Sequence, residues 1–597
     1  MDSHIIFTIP IAVILSILLG PLFTRRDVYK ICFLEFIAVA YTIPWDSYLI
    51  RTGIWTYPPT VIIGPRLFSI PVEELFFIVV QTYITTCIQI FLSKSVMTAT
   101  HLHNETDTKD SVGNKLLLRK RIGQVILLLC SVLPPSLWNG HSKGTYMILI
   151  LSWSAPVMLM LWTFAYQLLL TLPTTHTLFP VVVTTLYLWI VDTFALHRGT
   201  WSIAPGTKLG IYVWPHLELE EAIFFLVTNV LVVWGATAYD NAVAILDVFP
   251  VQFPHVPGTP PPIMLLKALF LSTSKYDVER LEGLNTALSV LARKSRSFYL
   301  ASGVFVGRLR IDLILLYGFC RVADDLIDNV TSEEEAETWV KHFSRFLDVM
   351  YSPESDAKSI KEALNPFPSE VQSVLLQLPV DKLPSAPFHS LLDGFRMDQK
   401  FLNRESKSNP PIQTFEDLQR YATCVASTIG ELCLHLVFYH DPDGDTNAVV
   451  KQRCLESGAR MGRALQYVNI VRDVPTDAEA GRCYIPAEWI TEPKSPIEAE
   501  VRVRQETTHL RKKILDIAFA LYVENRDAIE ELPPYARAGI RVAVESYMEI
   551  GRMMRYRILE DRPLNFDGGG RAGRASVPKR RRLIVGWRTM RGWRGDP

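Results

Sequence analysis

The sequence predicts an all-α protein in two parts: an N-terminal seven-helix transmembrane domain with an internal three-helix repeat, and a C-terminal all-helical domain. Three observations lead there. Residues 1 to about 240 are dominated by apolar runs. Phe249 to Pro262 carries six prolines, as an extended spacer would. Beyond about 265 nearly every segment has helical periodicity, and none alternates like a strand. The expected boundaries are 1–245 for the membrane domain, 246–270 for the proline-rich linker, 271–562 for the helical domain and 563–597 for a basic tail.

A chain of 597 residues should hold more than one domain. Its 61 Lys and Arg balance 61 Asp and Glu, so bulk charge calls for no nucleic-acid partner. The eight Cys form no CxxC and no zinc spacing, and Cys32, Cys87 and Cys130 sit in apolar runs. That usage reads as a reduced, intracellular setting.

Seven apolar segments are long enough, or nearly so, to span a bilayer: roughly 5–23, 29–45, 72–93, 122–138, 146–171, 178–197 and 220–239. Met1-Asp2-Ser3-His4 lacks the basic start of a signal peptide, so the first run is expected to be retained. Lys and Arg crowd the loops after the first and third segments (Arg25, Arg26, Lys30; Lys94, Lys109, Lys115, Arg119, Lys120, Arg121). This bias puts the N-terminus outside the cytosol and the C-terminal half inside it. A multi-pass protein of an endomembrane is expected. A retinal protein is disfavoured, since no Lys lies between Lys208 and Lys267.

The repeat is visible in spacing. Asp46 to Trp55 matches Asp192 to Trp201, with Gly53 and Gly199 two residues before each Trp. Thr56/Ser202, Pro59/Pro205 and Gly64/Gly210 keep the offset of 146. After a one-residue slip Glu73-Glu74 matches Glu220-Glu221, each followed by Phe-Phe. The copies are segments 1–3 and 5–7, run the same way through the membrane, and bring their motifs to one side. Carboxyl groups at the edge of hydrocarbon are costly and usually functional. Adjacent carboxyls in a poorly solvated site can keep one member protonated, making a proton donor beside a group that can stabilise a cation or take the proton back. The simpler reading, a helix dipole complemented by Glu, does not account for the duplication. Two acid sites would suit a long apolar substrate with two equivalent ends.

The helical half is expected over roughly 277–306, 310–329, 333–350, 386–403, 414–439, 447–477, 497–530 and 534–560. Its chemistry is concentrated in two faces. Asn469, Asp473 and Asp477 stand four residues apart, and so do Asp324 and Asp328. Like charges at that spacing repel, so they point to divalent cations. Mg²⁺, or Mn²⁺ in its place, suits one or two carboxylates completed by water and substrate phosphate. A diphosphate substrate with metal-assisted departure is implied. Arg296, Arg321 and Arg472 lie near these faces.

These residues resemble a known family. Ser297-Phe298-Tyr299, Asp324 to Asp328, Asp393-Gly394-Phe395-Arg396-Met397-Asp398, Tyr421 with Val425-Ala426-Ser427-Thr428-Ile429-Gly430, Ala464-Leu465-Gln466 leading into Asn469–Asp477, and Arg482-Cys483-Tyr484-Ile485-Pro486 are similar, in order, to phytoene/squalene synthases. The membrane half resembles the fungal and heterodimeric bacterial type of lycopene cyclase through Pro71-Val72-Glu73-Glu74, with Glu218-Leu219-Glu220-Glu221 as a divergent second copy. The whole arrangement resembles the fungal bifunctional lycopene cyclase/phytoene synthase family.

The resemblance implies an isoprenoid-synthase-like fold and head-to-head joining of two geranylgeranyl diphosphates into phytoene. It implies that Asp324, Asp328, Asp473 and Asp477 hold Mg²⁺, that Arg296, Arg321 and Arg472 grip phosphate, and that Tyr317, Tyr421 and Asn469 line the cavity. Tyr421-Ala422-Thr423-Cys424 lacks the second aromatic many relatives place two after the Tyr. In the membrane half it implies proton-initiated closure of lycopene ends to β-rings by Glu73, Glu74, Glu220 and Glu221, with Asp46 and Asp192 behind them. Ring closure changes no redox state, so no electron carrier is required; a bound flavin is left open. A phytoene desaturase is an implied partner, because phytoene must be desaturated before it is cyclised. The rival is a squalene-type synthase, consuming NADPH, fused to a membrane domain that binds or transports polyene without changing it.

Gly568 to Gly573 fits GxGxxG but has no room for a βαβ unit, and Asp441 to Asp445 reads as a turn, not a calcium loop. The tail 571–597 has nine Lys and Arg against Asp596 alone, interleaved with Trp587 and Trp593, and reads either as a disordered tail or as one that docks on anionic lipid of the bilayer.

Overall fold

The computed structural model describes residues 2–58, 62, 64–105, 111–136, 142–402, 410–441, 444, 446–490, 496–560, 575 and 577–596. Of 2–6, 111–114, 296–297 and 496–507 the backbone alone is described. The glycine-rich 568–573 lies outside the described residues, as does part of 441–445. The chain forms two compact units, Met1–Leu281 and Glu282–Pro597.

The first unit contains α1 (Asp2–Leu19), α2 (Arg25–Arg51), α3 (Val72–Ser93), α4 (Ser111–Ser136), α5 (Thr145–Thr171), α6 (Thr174–His197), α7 (Leu219–Val248) and α8 (Pro262–Leu269). Two-residue and three-residue strands β1 (Trp55–Thr56), β2 (Arg66–Leu67), β3 (Ile70–Pro71), β4 (Ser202–Ile203), β5 (Tyr212–Trp214) and β6 (Leu217–Glu218) pair as β1–β4, β2–β3 and β5–β6, all antiparallel. The second apolar run is short in sequence, yet α2 is 27 residues long. Thr24 and Asp27 start it early with a capping box, Thr24 N donating to Asp27 Oδ2 at 2.6 Å and Asp27 N to Thr24 Oγ1 at 3.3 Å. Where α4 meets α5, a Cβ on Gly123 would lie 2.4 Å from Trp162, so only glycine admits that ring.

Among the described residues, six stretches are long and apolar enough to cross a membrane: α2, α3, α5, α6, α7 and Phe415–Tyr439. The last belongs to the second unit and is apolar for a different reason, given below. One end of the first unit is tied by buried charge. Lys30 Nζ donates to Asp240 at 2.7 and 2.8 Å and to Gln89 Oε1 at 2.9 Å; Arg26 pairs with Asp247 at 2.7 Å; Lys94 pairs with Asp27. The other end is aromatic, with Trp45, Trp55, Tyr146, Trp201, Phe224 and Phe225 in one cluster.

The proline-rich stretch is only partly the extended spacer expected. α7 runs on to Val248, and α8 starts at Pro262, where a missing N–H costs a helix nothing. α8 buries Leu265 and Ala268, and Phe270 stacks edge-on against Phe164 at 5.0 Å. Apolar burial outweighs the prolines there.

The second unit is helical throughout its described residues: α9 (Val278–Lys294, which carries the unit boundary), α10 (Arg296–Ser302), α11 (Gly307–Asp328), α12 (Glu333–Tyr351), α13 (Ala357–Leu364), α14 (Ser369–Leu375), α15 (Ala386–Gln399), α16 (Phe415–Ala422), α17 (Thr428–Tyr439), α18 (Ala448–Glu479), α19 (Pro496–Asn525), α20 (Pro534–Leu559) and α21 (Lys579–Met590). The expected 277–306 helix breaks at Ser295, which caps α10 by accepting from Phe298 N at 3.4 Å. A π turn, Thr423–Ser427, joins α16 to α17. α17 and α18 touch through glycine, since a Cβ on Gly430 would sit 2.8 Å from the Gly458 carbonyl oxygen.

The basic tail is partly folded. α21 packs on α20, Arg581 Nε donating to Glu549 at 2.5 Å, Arg541 Nη1 to the Thr589 carbonyl at 3.1 Å and Gly595 N to Glu545 at 3.2 Å. Buried Glu545 and Glu549 draw the arginines in, a pull that composition alone does not reveal.

Asp312, 1% exposed on α11, lies 2.7 Å from Lys382 Nζ and 2.6 Å from His440 Nε2. Burial alone would push its carboxyl up, but the His440 hydrogen bond and the Lys382 charge hold it below the ordinary range. A depressed folded value means stability that is present above the unfolded pKa of about 4 and lost as pH falls through the folded one. Asp312→Asn is expected to cost about 3–5 kcal/mol and to flatten that acid limb; a denaturant titration at pH 7 and pH 4 checks both.

Candidate functional site

In the first unit the loops place the acids. β1 and β4 join the two motif copies: Trp55 pairs with Ile203 and Thr56 with Ser202, whose hydroxyls lie 2.9 Å apart. The β2–β3 hairpin turns at Phe68 and Ser69 with φ of 51° and 73°, a left-handed turn that aims the chain into α3. Ser47 Oγ holds it by donating to the Phe68 carbonyl at 2.7 Å. Glu73 and Glu74 follow at the first turn of α3, and Glu220 and Glu221 at that of α7.

Adjacent Glu residues point different ways. Glu73 Oε1 accepts from Gly64 N at 3.0 Å and Glu220 Oε1 from Leu209 N at 2.5 Å, so the first member of each pair fixes its preceding loop. The second member meets a tyrosine: Tyr57 Oη donates to Glu74 Oε2 at 3.2 Å, and Tyr146 Oη to Glu221 Oε1 at 2.7 Å. Asp192 Oδ1 accepts from Trp201 Nε1 at 3.2 Å. A narrow cavity of about 40 Å³ is lined by Glu73, Glu74, Asp192 and Glu221 with Trp55, Tyr57, Phe76, Phe77, Trp201, Phe224 and Phe225. Asp46 and Glu220 are buried but do not line it. Tyr57 and Tyr146 are partners that no sequence motif marked.

The second unit holds an apolar cavity of about 380 Å³. α11 contributes Leu313, Tyr317 and Cys320; the π turn and α17 contribute Val425, Ile429 and Cys433; α18 contributes Met461, Leu465, Gln466 and Asn469. That is why Phe415–Tyr439 reads as apolar as a membrane span. Asp324 and Asp328 continue the α11 lining face by one and two turns, and Asp473 and Asp477 continue that of α18. Phe298 and Tyr317 meet in the wall with ring centroids 6.0 Å apart.

Cationic groups cap the carboxylates. Arg321 donates to Asp324 at 2.7 Å and Asp325 at 2.5 Å; Arg472 grips Asp473 at 2.7 and 2.9 Å; Arg482 donates to Asp328 at 3.0 Å. Burial, then the neighbouring Asp328 charge, push the Asp324 carboxyl up to about 6. Arg296 opens α10, and its side chain lies outside the described residues. Tyr421 does not line the cavity; it donates to Asp398 at 3.0 Å and stacks on Tyr484 at 4.9 Å. Tyr484 also donates to Asp398, at 2.7 Å, and burial pushes that carboxyl up to about 7. Asp398, Arg482 and Tyr484 lie in motifs quoted above but had been given no role.

Among the described residues no three His, Cys, Asp or Glu side chains converge to enclose a cation. Paired carboxylates without a closed cage are what Mg²⁺ uses when water and phosphate complete its shell.

Across 98% of both chains the sequence is 47% identical to a bifunctional lycopene cyclase/phytoene synthase of Phaeosphaeria nodorum. The chain belongs to the bifunctional lycopene cyclase/phytoene synthase family. The enzyme of that name from Leptosphaeria maculans is 48% identical over 98% of each chain, and that from Neurospora crassa 42% over 97%. The squalene/phytoene synthase family model matches residues 291–580, which contain both aspartate faces. A solved dehydrosqualene synthase aligns with 52% of this chain and 96% of its own at 22% identity and a TM-score of 0.37. The fused relatives favour a two-activity enzyme over a squalene-type synthase with an inert membrane domain.

Proposed function

We propose that the second unit joins two geranylgeranyl diphosphates head to head, through a cyclopropyl diphosphate, into phytoene. The first unit then converts ends of lycopene to β-rings, giving γ-carotene and β-carotene. The observation that carries the synthase reading is the pair of aspartate faces extending the walls of a large apolar cavity. Asp324, Asp328, Asp473 and Asp477 would hold Mg²⁺, which supplies charge neutralisation for diphosphate departure. Arg321 and Arg472, already seated on those carboxylates, would shift to phosphate oxygens, with Arg296 beside them. Phe298 and Tyr317 in the cavity wall would stabilise an allylic cation, and the apolar lining would exclude water from it.

In the first unit, a carboxyl adds its proton to the terminal double bond of lycopene. The ring C–C bond forms as the cation is attacked by the neighbouring double bond, and a carboxylate removes a ring proton. Seven membrane crossings, with α1 and α4 added to the five apolar helices of this unit, suit a substrate held in lipid, and the charged end would face the cytosol. The two-residue β1–β4 ribbon, in which Thr56 pairs with Ser202 146 residues on, supports a duplicated three-helix ancestry. The functional boundaries read from the sequence, 1–245 and 271–562, bracket the two cavities.

Membranes holding the full chain are expected to turn geranylgeranyl diphosphate with Mg²⁺ into phytoene whether or not NADPH is present, and to turn added lycopene into cyclic carotenes. Chromatography of the products checks both. A product that requires NADPH, or lycopene returned unchanged, would sink the corresponding half.

A further inference from the structure

The duplicated motif suggests one acid site per copy and one copy per end of lycopene. The geometry points elsewhere: we propose that the two copies build a single acid–base site, with Glu74 from α3 and Glu221 from α7 acting on one ring. This rests on the cyclase reading of the first unit.

Three observations carry it. Glu74 and Glu221 line the same pocket. Asp192 of the second copy lines it as well, beside Glu73 of the first. The walls alternate between copies: Trp55 meets Trp201 edge-on at 5.8 Å and Phe224 at 5.6 Å, and Phe77 meets Phe225 at 6.3 Å. Aromatic side chains from both copies thus line one space, a lining that suits a cationic intermediate.

Roles divide within each Glu pair, not between the pairs. Glu73 and Glu220 bind backbone N–H groups of their own loops and act as positioning residues, Glu73 doing so from the cavity wall. Glu74 and Glu221 each keep a tyrosine hydroxyl and face the cavity. Of these two, the protonated carboxyl adds its proton to the terminal alkene, and the carboxylate opposite takes the proton lost from the ring. The substrate is isomerised, no electrons are exchanged, and one proton has moved from one carboxyl to the other. Exchange with water resets the pair before the second end enters. The ends are therefore closed in turn at one place, with the monocyclic carotene as an obligatory intermediate.

The test is made on the full chain in a lycopene-accumulating host, where phytoene formation by the same chain reports its expression. Glu74→Gln and Glu221→Gln are each expected to lower both ring closures by about 10²-fold or more, with the double variant little worse. Glu74→Asp and Glu221→Asp, which retain an acid, should restore both closures in parallel and so separate chemistry from misfolding. Independent sites would show as single Gln variants that retain half of the cyclisation, or as one variant that stops at the monocyclic product. Either result overturns the proposal while leaving the cyclase reading standing. A double Gln variant that cyclises at the parent rate would overturn both.

Discussion

Asp324→Asn is expected to cut phytoene formation on the order of 10²–10³-fold and to leave lycopene cyclisation by the same chain unchanged. The carboxylate continues the cavity-lining face of α11 and is proposed to hold Mg²⁺ on the departing diphosphate. Losing that charge stabilisation costs several kcal/mol of barrier, and about 1.4 kcal/mol is tenfold in rate. Its ion pair with Arg321 is a poor source of stability, both side chains being about a third exposed (33% and 32%). Unfolding temperature should therefore barely move. Assaying both products from one membrane preparation, alongside a melting curve, separates lost chemistry from lost fold. Phytoene within twofold of the parent would remove Asp324 from the site.

Lys30→Met should do the reverse, damaging the first unit. Lys30 is 3% exposed on α2, and its ammonium is shared between Asp240 on α7 and Gln89 on α3. Gln89 Nε2 in turn donates to Asp240 at 3.0 Å, so one cation ties three helices. Removing it leaves a largely buried carboxylate unpaired, at a cost of about 3–5 kcal/mol, or at least two decades in the folded fraction. Cyclisation is expected to fall with the amount of folded first unit, while phytoene formation persists. Replacing both partners together, Lys30→Met with Asp240→Leu, should recover most of the loss, because an apolar pair carries no desolvation debt. Melting in detergent distinguishes the two variants; equal melting of the single variant and the parent would show the triad to be inert.

The aspartate faces were legible because carboxylates four apart on a helix share a side, and a helix holds that relation wherever it packs. Helix-rich character was legible from periodicity for the same reason. The Glu pairs were legible as positions but not as roles. Consecutive helical residues point about 100° apart, so Glu73 and Glu74, though both reach the cavity, take different partners, and those partners are loop residues, Gly64 and Tyr57. Tyr146 reaches Glu221 from 75 residues away, a contact that no local pattern announces. α8 and α21 fall in a spacer and a tail because prolines precede the one and arginines fill the other, whereas what they pack on, α7 and the α20 carboxylates, lies outside their own periodic stretch.

The α21 contacts also impose an order in time. Glu545 and Glu549, 1% and 3% exposed, are satisfied partly by Arg581 and Gly595, which leave the ribosome some 30–50 residues later. Arg552 of α20 itself pairs with both carboxylates, at 2.8 and 3.3 Å. At about 5–20 residues per second, Arg581 and Gly595 follow on the order of seconds later to complete the set. The outer face of α20 is thus covered last, and a chain stalled after residue 560 would leave that face without Arg581 and Gly595.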